Sequence, residues 1–336
     1  MSLLRYRSRD IVAVLDGFVS AKTAHELFRQ GFRQGAAIPV IGQLSEISNS
    51  DALYIGIAPP GGKLPSSWQP IILEAINRGM DVVSGLHDFL NDDHQYVTAA
   101  KNSGAHLIDV RSNSYQSIAT GARFKRGGLR LLTVGQDCSV GKMVATLEVH
   151  QGLIDRGFDS AFLATGQTGI MISGQGIPID RVIVDFANGA AEQLVLQNQN
   201  HSFQLIEGQG SISHPAYSAV TLGLLHGTMP HGLIYCYEAG RQNVKGMTDV
   251  QLTPIESQME AYLIAARLRH PCSYVGCAVN TRNLSDAAAT AEIESLEQQL
   301  RLPACDVYRE GAEKLVNACL NFKKELIRDE HENLQA

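Results

Sequence analysis

Residues 135–143 read Gly-Gln-Asp-Cys-Ser-Val-Gly-Lys-Met. Two glycines, an acid, a thiol and a lysine stand side by side, between an apolar run (Leu129–Val134) and a helical pattern (Gly141–Arg156). A Gly-rich turn between a strand and a helix is the setting in which backbone N–H groups cradle phosphate. The N–H groups from Ser139 through Val140 to Lys142 can surround an anion, and the helix N-terminus and the Lys142 ammonium add positive charge. Gly141 lets backbone and anion approach closely. The loop departs twice from G-x-x-x-x-G-K-[ST]. Gly135 stands one residue early, and Met143 stands where a Ser or Thr would hold magnesium. A thioether is no ligand for a hard cation, and Thr146 is too far along the helix to replace it. Phosphoryl transfer is therefore handicapped, and a diphosphate that is held without being cleaved is favoured.

Other chemistry-bearing residues follow apolar runs downstream. Glu207, in Ile206-Glu-Gly-Gln-Gly-Ser211, and His214 are candidates for a general base. The Gly-rich loops containing Thr165, Gln167 and Thr168, and Gln209 and Ser211, offer amides and hydroxyls for an oxyanion and a substrate. Arg241 and Arg282 can each grip a carboxylate through two parallel hydrogen bonds. Alternatives stand beside these readings. Arg241 has a potential partner in Glu238, and His214, before Pro215, can cap a turn. Cys138, at a helix start, is either an acyl-carrying thiol or a packed loop residue. A metal is not expected; if the reaction consumed ATP, Asp185 and Glu207 would be the acidic ligands. His87 and Asp88 follow a strand in the first third and have either a structural or a cleft-facing role.

The chain has 336 residues, enough for about two domains. With 44% apolar and 18% charged residues, the composition is that of an ordinary globular protein. The net charge of −6 argues against a general nucleic-acid binder. The six cysteines (Cys138, Cys236, Cys272, Cys277, Cys305, Cys319) form no C-x-x-C pair, and most lie in apolar runs. They read as reduced, buried residues of a cytoplasmic protein. The N-terminus lacks a signal core, and no stretch is long enough to span a bilayer. A small-molecule substrate and a closed homo-oligomer are expected.

Short apolar runs alternate with helical patterns throughout. The runs Ile11–Leu15, Leu53–Ile57, Asp81–Ser84 and Ala105–Val110 predict strands, with helices over Lys22–Gly31 and Trp68–Arg78. The alternation resumes with strands at Leu129–Val134, Ser160–Ala164, Phe203–Ile206, Leu233–Tyr237 and Ser273–Val279. Helices are expected over Gly141–Arg156, Ala190–Gln197, Ile255–Leu268 and Ala287–Leu300. This is the signature of parallel α/β sheets. The basic, Gly-rich stretch Arg123–Gly128 suggests a boundary. The expected organisation is a Rossmann-like domain over 1–126, a P-loop NTPase-like doubly wound domain over 127–325, and a charged tail over 326–336. Residues Lys323–Ala336 are expected to fray beyond a final helix. The first domain has no G-x-G-x-x-G, so no nicotinamide cofactor is expected. Ligands of open α/β sheets bind at the carboxyl ends of strands. Gly135–Lys142, Thr165–Gly169, Glu207–Ser211 and Asn280–Arg282 should therefore share one crevice.

The loop spacing is similar to that of dethiobiotin synthetases, where Thr follows the Lys. Ile206-Glu-Gly-Gln-Gly210 resembles the strand-end Glu-Gly-x-Gly of that fold, and Val275-Gly-Cys-Ala-Val-Asn280 resembles its strand ending in a base-reading Asn. A resemblance covering nearly the whole chain is closer. Residues 135–143, Ala164-Thr-Gly-Gln-Thr-Gly-Ile170, Asp185-Phe-x-x-Gly-Ala-x-Glu-Gln193, 206–211, His214-Pro-Ala-Tyr-Ser218 and Thr221-Leu-Gly-Leu-Leu-His-Gly227 look like the D-glutamate N-acetyltransferase family. Its members are two-domain proteins once catalogued as a domain of unknown function. Ile55–Gly62 and Val83–Leu90 look like its first domain. Members begin with one more strand and a Gly-containing turn before a Leu-Leu-Arg-Tyr segment; here Leu3–Tyr6 stands almost at the start. The resemblance implies acetyl transfer from acetyl-CoA to D-glutamate. Gly135, Asp137, Cys138, Ser139, Val140, Gly141, Lys142, Met143 and Asn280 would then hold the coenzyme. Two alternatives remain at this stage. One is an ATP- and Mg²⁺-dependent enzyme that activates a carboxylate; the other is a non-catalytic nucleotide-binding switch.

Overall fold

The computed structural model describes residues 2–17, 22–28, 38–57, 59 and 62–335. The chain divides into two compact units. Unit 1 is Met1–Asn113 with Gln167–Gly174, and unit 2 is Ser114–Gly166 with Gln175–Ala336.

Unit 1 contains α1 (Ser2–Tyr6), β1 (Val14–Leu15), α2 (Ala24–Phe28), β2 (Val40–Ile41), β3 (Ala52–Ile55), α3 (Gln69–Asn77), β4 (Asp81–Ser84), α4 (His94–Ser103) and β5 (Leu107–Asp109). The end of the helix expected over Lys22–Gly31 lies outside the described residues. Strands β3, β4 and β5 form a parallel sheet in that order, and β1 pairs with β2 separately, also in parallel. Helices α3 and α4 bury Ile72, Ile76, Tyr96 and Ala100 against Val82. No apolar period marks α4 in the sequence; its ends do. The Asp93 carboxylate accepts from the Gln95 N–H, and Gly104 closes the helix at φ 81°.

Unit 2 carries β6 (Leu129–Gly135), α5 (Lys142–Asp155) and β7 (Ser160–Leu163); α6 (Gln167–Ser173) follows in the chain but belongs to unit 1, and unit 2 resumes with α7 (Val184–Asn198) and β8 (Phe203–Ile206). It continues with α8 (Ser218–Thr228), β9 (Gly232–Glu238), α9 (Ile255–Arg267), β10 (Ser273–Asn280), α10 (Asp286–Leu300), β11 (Ala304–Cys305) and α11 (Glu313–Gln335). Helix α6 packs with unit 1 despite its place in the chain. Its Gln167 lies against Gly85, and the Arg7 guanidinium donates to the Met171 carbonyl at 3.1 Å.

The six strands of unit 2 are parallel, in the order β11-β10-β9-β6-β8-β7. Every residue of β6 is buried. Leu132 and Val134 face a core shared with α7, α8, α9 and α10, while Leu129 and Leu131 face α5 and α11. A parallel strand covered on both faces reads as an unbroken apolar run, which is why β6, β8, β9 and β10 are visible in the sequence. The order puts β6 between β9 and β8. The phosphate loop is therefore flanked by the loop carrying Arg241 on one side and the loop carrying Glu207 on the other.

Three segments differ from expectation. Helix α8 reads as apolar all round, with no period to reveal it. It packs on α7 through small residues: a Cβ at Gly227 would lie 2.3 Å from the Asn188 carbonyl and 2.7 Å from Ala191. The charged C-terminal stretch is assigned as helix. Helix α11 runs to Gln335, and Leu315, Cys319, Phe322 and Leu326 form one apolar stripe along its first part. The segment from Ser114 to Gly128, expected to close domain one, belongs to unit 2. Tyr115 donates to the Gly189 carbonyl at 2.9 Å, and the buried Glu192 carboxylate of α7 accepts from Thr120 N–H (2.8 Å), Thr120 O–H (2.8 Å) and Ala122 N–H (3.0 Å). Charge-assisted bonds to backbone outweigh the basic, Gly-rich character of the strap.

Glu192→Ala leaves those N–H groups without their acceptor. It is expected to cost about 2–3 kcal/mol in a urea unfolding curve and to speed amide exchange at Thr120 and Ala122. An unchanged midpoint would show that the strap is held by other contacts.

Candidate active site

The phosphate loop leaves β6 through a tight passage. A Cβ at Gly135 would lie 2.7 Å from the Cys236 carbonyl. The loop turns through two left-handed residues, Ser139 (φ 56°) and Gly141 (φ 112°). The N–H groups of Ser139, Val140, Gly141 and Lys142 have no partner among the described residues. Together they form an anion-binding nest at the start of α5. The Lys142 ammonium is buried and donates to the Asp137 carbonyl at 2.7 Å. Burial depresses its pKa. Met143 packs against the apolar core on the α5 side. Thr146 bonds to Thr133 (2.9 Å) and the Lys142 carbonyl (2.8 Å), so its hydroxyl is spent inside the fold. No oxygen ligand therefore follows the lysine.

Helix α9 buttresses the loop from below, a role that sequence reasoning missed. The Tyr262 hydroxyl donates to the Gly135 carbonyl (2.8 Å) and accepts from Ile212 N–H (3.0 Å). One turn earlier the Gln258 amide donates to the Gln136 carbonyl (3.0 Å), and its oxygen accepts from Tyr235 O–H (2.7 Å). A buried Gln and Tyr at i and i+4 were the available signal.

Asp137 is fully buried, and three donors hold its carboxylate. It accepts from Cys138 N–H (2.6 Å), from Arg241 (2.9 Å) and from Lys245 N–H (2.7 Å). Arg241 also donates to the Cys138 carbonyl (2.8 Å) and to Glu238. The other oxygen of Glu238 accepts from Arg282 Nε (3.1 Å), Arg282 Nη2 (2.7 Å) and the Asn283 amide (3.2 Å). The two arginines expected to hold substrate carboxylates are thus paired within the protein. Arg282 spends one edge of its fork on Glu238, whereas Arg241 keeps unused N–H groups.

Glu207 sits on the other flank and is buried. Its Oε2 accepts from Thr165 N–H (2.9 Å) and Gly166 N–H (3.1 Å), and Thr165 O–H donates back to the Glu207 carbonyl (2.7 Å). Burial raises its pKa to about 7, against the pull of those two N–H groups. Such a carboxyl exchanges protons near neutrality, as a general base must. Glycines make the close approach possible. A Cβ at Gly208 would lie 1.7 Å from the Thr133 carbonyl, and one at Gly166 would lie 2.1 Å from Gln209 Nε2.

His214 corrects an expectation. Its Nδ1 accepts from Ala216 N–H at 3.0 Å, so the turn-capping role is real. Burial lowers its pKa. The neutral ring therefore carries its proton on Nε2, which is buried without a hydrogen-bond partner, 3.6 Å from Asp137 Oδ1. With its free lone pair taken, the ring is a donor and not the base proposed for it. Ligand atoms of Asp137, Cys138 and His214 lie within 4.8 Å of one another. The trio does not fit a metal: the Ala216 N–H occupies Nδ1, so Nε2, the atom facing Asp137 and Cys138, holds the proton. The Cys138 thiol is half-buried, and burial raises its pKa despite Lys142, which counts against an activated thiolate. The other five cysteines are buried.

The remaining candidates scatter. Ser211 O–H donates to the Gln136 carbonyl (3.1 Å), bringing the Glu207 loop to the phosphate loop. The Gln209 carbonyl accepts from Thr221 O–H (2.7 Å). Asn280 ends β10, and its side-chain oxygen accepts from Arg282 N–H (3.2 Å). Gln167 and Thr168 open α6 and pack with unit 1. Asp185 is exposed on the first turn of α7. In unit 1, His87 and Asp88 line a cavity of ≈490 Å³, and Asp88 accepts from Leu64 N–H (2.8 Å).

Comparison with known proteins matches both halves of the chain. A profile described as a Rossmann-like domain of unknown function, DUF1611_N, matches residues 22–113; its partner, the P-loop domain DUF1611_C, matches 117–316. A protein named D-glutamate N-acetyltransferase from Tritonibacter scottomollicae is 42% identical over 276 residues, 82% of each chain. One of the same name from a Pseudoalteromonas species is 43% identical over 267 residues, 79% of this chain and 80% of its own. The crystal structure of a DUF1611 family protein from Anabaena variabilis superposes with a TM-score of 0.88 at 34% identity, covering 95% of this chain and 94% of the other. No helix among the described residues is long and apolar enough to cross a membrane.

The raised pKa of Glu207 has a consequence for stability. The unfolded carboxyl ionises near 4.5 and the folded one near 7. The folded state therefore binds the extra proton between those values, and this group's contribution to stability falls as pH rises through that window. Glu207→Gln removes the buried charge and keeps an acceptor for Thr165 and Gly166. Its melting temperature relative to the parent should be higher at about pH 8.5 than at about pH 5. A pH-independent difference in a thermal-melt series would refute the shift.

Proposed function

This chain belongs to the two-domain DUF1611 family and is an acyltransferase, and from that we propose that it moves an acetyl group from acetyl-CoA to the amino group of a small acidic amino acid, D-glutamate. One juxtaposition carries the reading. A phosphate cradle with no oxygen ligand after its lysine stands beside a buried carboxyl that titrates near neutrality.

The residues fit a coenzyme that presents a diphosphate without having it cleaved. The open N–H groups from Ser139 to Lys142 and the Lys142 ammonium would hold the diphosphate. When bound, the thioester supplies the activated acetyl group. Glu207 takes one proton from the ammonium group so that the free amine can attack; as the nitrogen bonds to the acetyl carbon and the carbon–sulfur bond breaks, the nitrogen's second proton goes to the departing sulfur, which leaves as the free thiol. The neutral His214 ring and the loop N–H groups are the available donors for negative charge on the carbonyl oxygen.

Free thiol should be released from acetyl-CoA in the presence of D-glutamate, undiminished by a metal chelator. ADP release from ATP that requires magnesium and a carboxylic acid would overturn the reading. The rate should rise with pH through about 7, the Glu207 value. Glu207→Gln should lower kcat by about 10²–10⁴ and remove that limb. Lys142→Ala should act mainly on the acetyl-CoA KM, raising it by about tenfold or more.

A further inference from the structure

A cavity of ≈320 Å³ lies beside the phosphate loop, walled by Gln136, Arg241, Gln251, Leu252, Thr253 and Ile255. It lies within unit 2. Its volume falls at the small end of the ~300–1,000 Å³ range of small-molecule sites. No step assigned to Glu207 or to the phosphate cradle uses it.

Two of its walls carry donors that the protein leaves unmatched. Gln136 is 6% exposed. Its side-chain oxygen accepts from Glu238 N–H at 3.4 Å, which fixes which end of the amide is the NH₂. That Nε2 has no partner among the described residues. The amide nitrogen is not sealed inside the fold, so its two idle N–H groups are open to an acceptor in the cavity. Arg241 has five N–H donors. Nη1 serves Asp137 and the Cys138 carbonyl, and Nη2 serves Glu238. Nε and the second Nη2 hydrogen have no partner among the described residues.

Charge and shape define what fits. Asp137 and Glu238 balance Arg241 and Arg282. The wall is thus close to neutral while offering several N–H donors, which suits one carboxylate and not a dense polyanion. Leu252 and Ile255 give a short aliphatic stem something to pack on, and Gln251 and Thr253 can both donate and accept. The wall is also preorganised. Asn243 bridges Gln251, Leu252 N–H donates to the Gln242 carbonyl (2.8 Å), and Lys245 N–H donates to Asp137 (2.7 Å). The loop after β9 is thereby fastened to the phosphate loop before a substrate arrives.

We propose that this cavity is the acceptor subsite, in which the Gln136 amide and the free edge of Arg241 hold the carboxylate of a small amino acid. The identity of the acceptor rests on the acetyl-transfer reading; the carboxylate chemistry does not.

Gln136→Glu is the sharpest test, because it replaces the idle donor with an acceptor of the same shape. Acetylation assays should show the D-glutamate KM raised about 10–100-fold, the size of one lost charge-assisted hydrogen bond, with the acetyl-CoA KM unchanged. Thr253→Val, a milder change outside the phosphate loop, should raise the same KM several-fold. An unchanged acceptor KM in both variants, or an acetyl-CoA KM that rises instead, overturns the assignment. A calorimetric titration keeps the two readings apart. If the parent acetylates no amino acid, the acetyl-transfer reading fails, and D-glutamate and glutarate still probe the cavity. Binding to the parent that Gln136→Glu abolishes supports the subsite; no binding to the parent, or equal binding to both, sinks it.

Discussion

The site depends on one buried anion. Asp137 lies inside the phosphate loop, and an unpaired carboxylate there would cost several kcal/mol. Its partners come from different elements: Cys138 from the loop itself, and Arg241 and Lys245 from the segment after β9. Satisfying one charge therefore fixes two loops against each other. The arrangement also sets the character of the site. Asp137 and Glu238 take up part of the charge of Arg241 and Arg282, which leaves the backbone N–H groups of the loop, Lys142 and the free edge of Arg241 as the open donors.

The opposite flank uses burial. Glu207 receives two backbone N–H groups, enough to hold an exposed carboxyl well within its ordinary range, yet removal from water prevails. Glycines at 166 and 208 let the backbone pack closely around the buried acid. The two flanks thus put the same functional group to different uses: Asp137 ties two loops together through its donors, and Glu207 is kept ready to exchange a proton.

The sequence discloses features that depend on neighbours along the chain. The phosphate loop, the buried parallel strands and the Glu207 loop are local patterns, and the structure places them where those patterns indicate. Features that depend on distant partners are opaque. Helix α8 lacks a polar face because it lies against small residues of α7, so periodicity cannot reveal it. The strap from Ser114 joins unit 2 through partners on and after α7, chiefly the Glu192 carboxylate and the Gly189 carbonyl, more than sixty residues downstream. The tautomer of His214 is set by the Ala216 N–H, and no residue type encodes that. Gln136 reads as a filler position of the loop, and only the Glu238 N–H that orients its amide makes it a donor. The family resemblance names the chemistry but not these partners.

The path of the chain through α6 bears on modularity. Units are usually joined by one linker, so that either can be cut away at a single bond. Here the backbone passes from one unit to the other at 113/114, at 166/167 and at 174/175. The second crossing comes directly after Gly166, whose N–H steadies Glu207. A gene fragment ending at Asn113 therefore encodes unit 1 without one of its helices. A fragment starting at Ser114 carries that helix without the surface it was selected to cover. The two halves cannot be shuffled as independent cassettes, and Gly166, which steadies the acid of the site, borders the very stretch that forbids it.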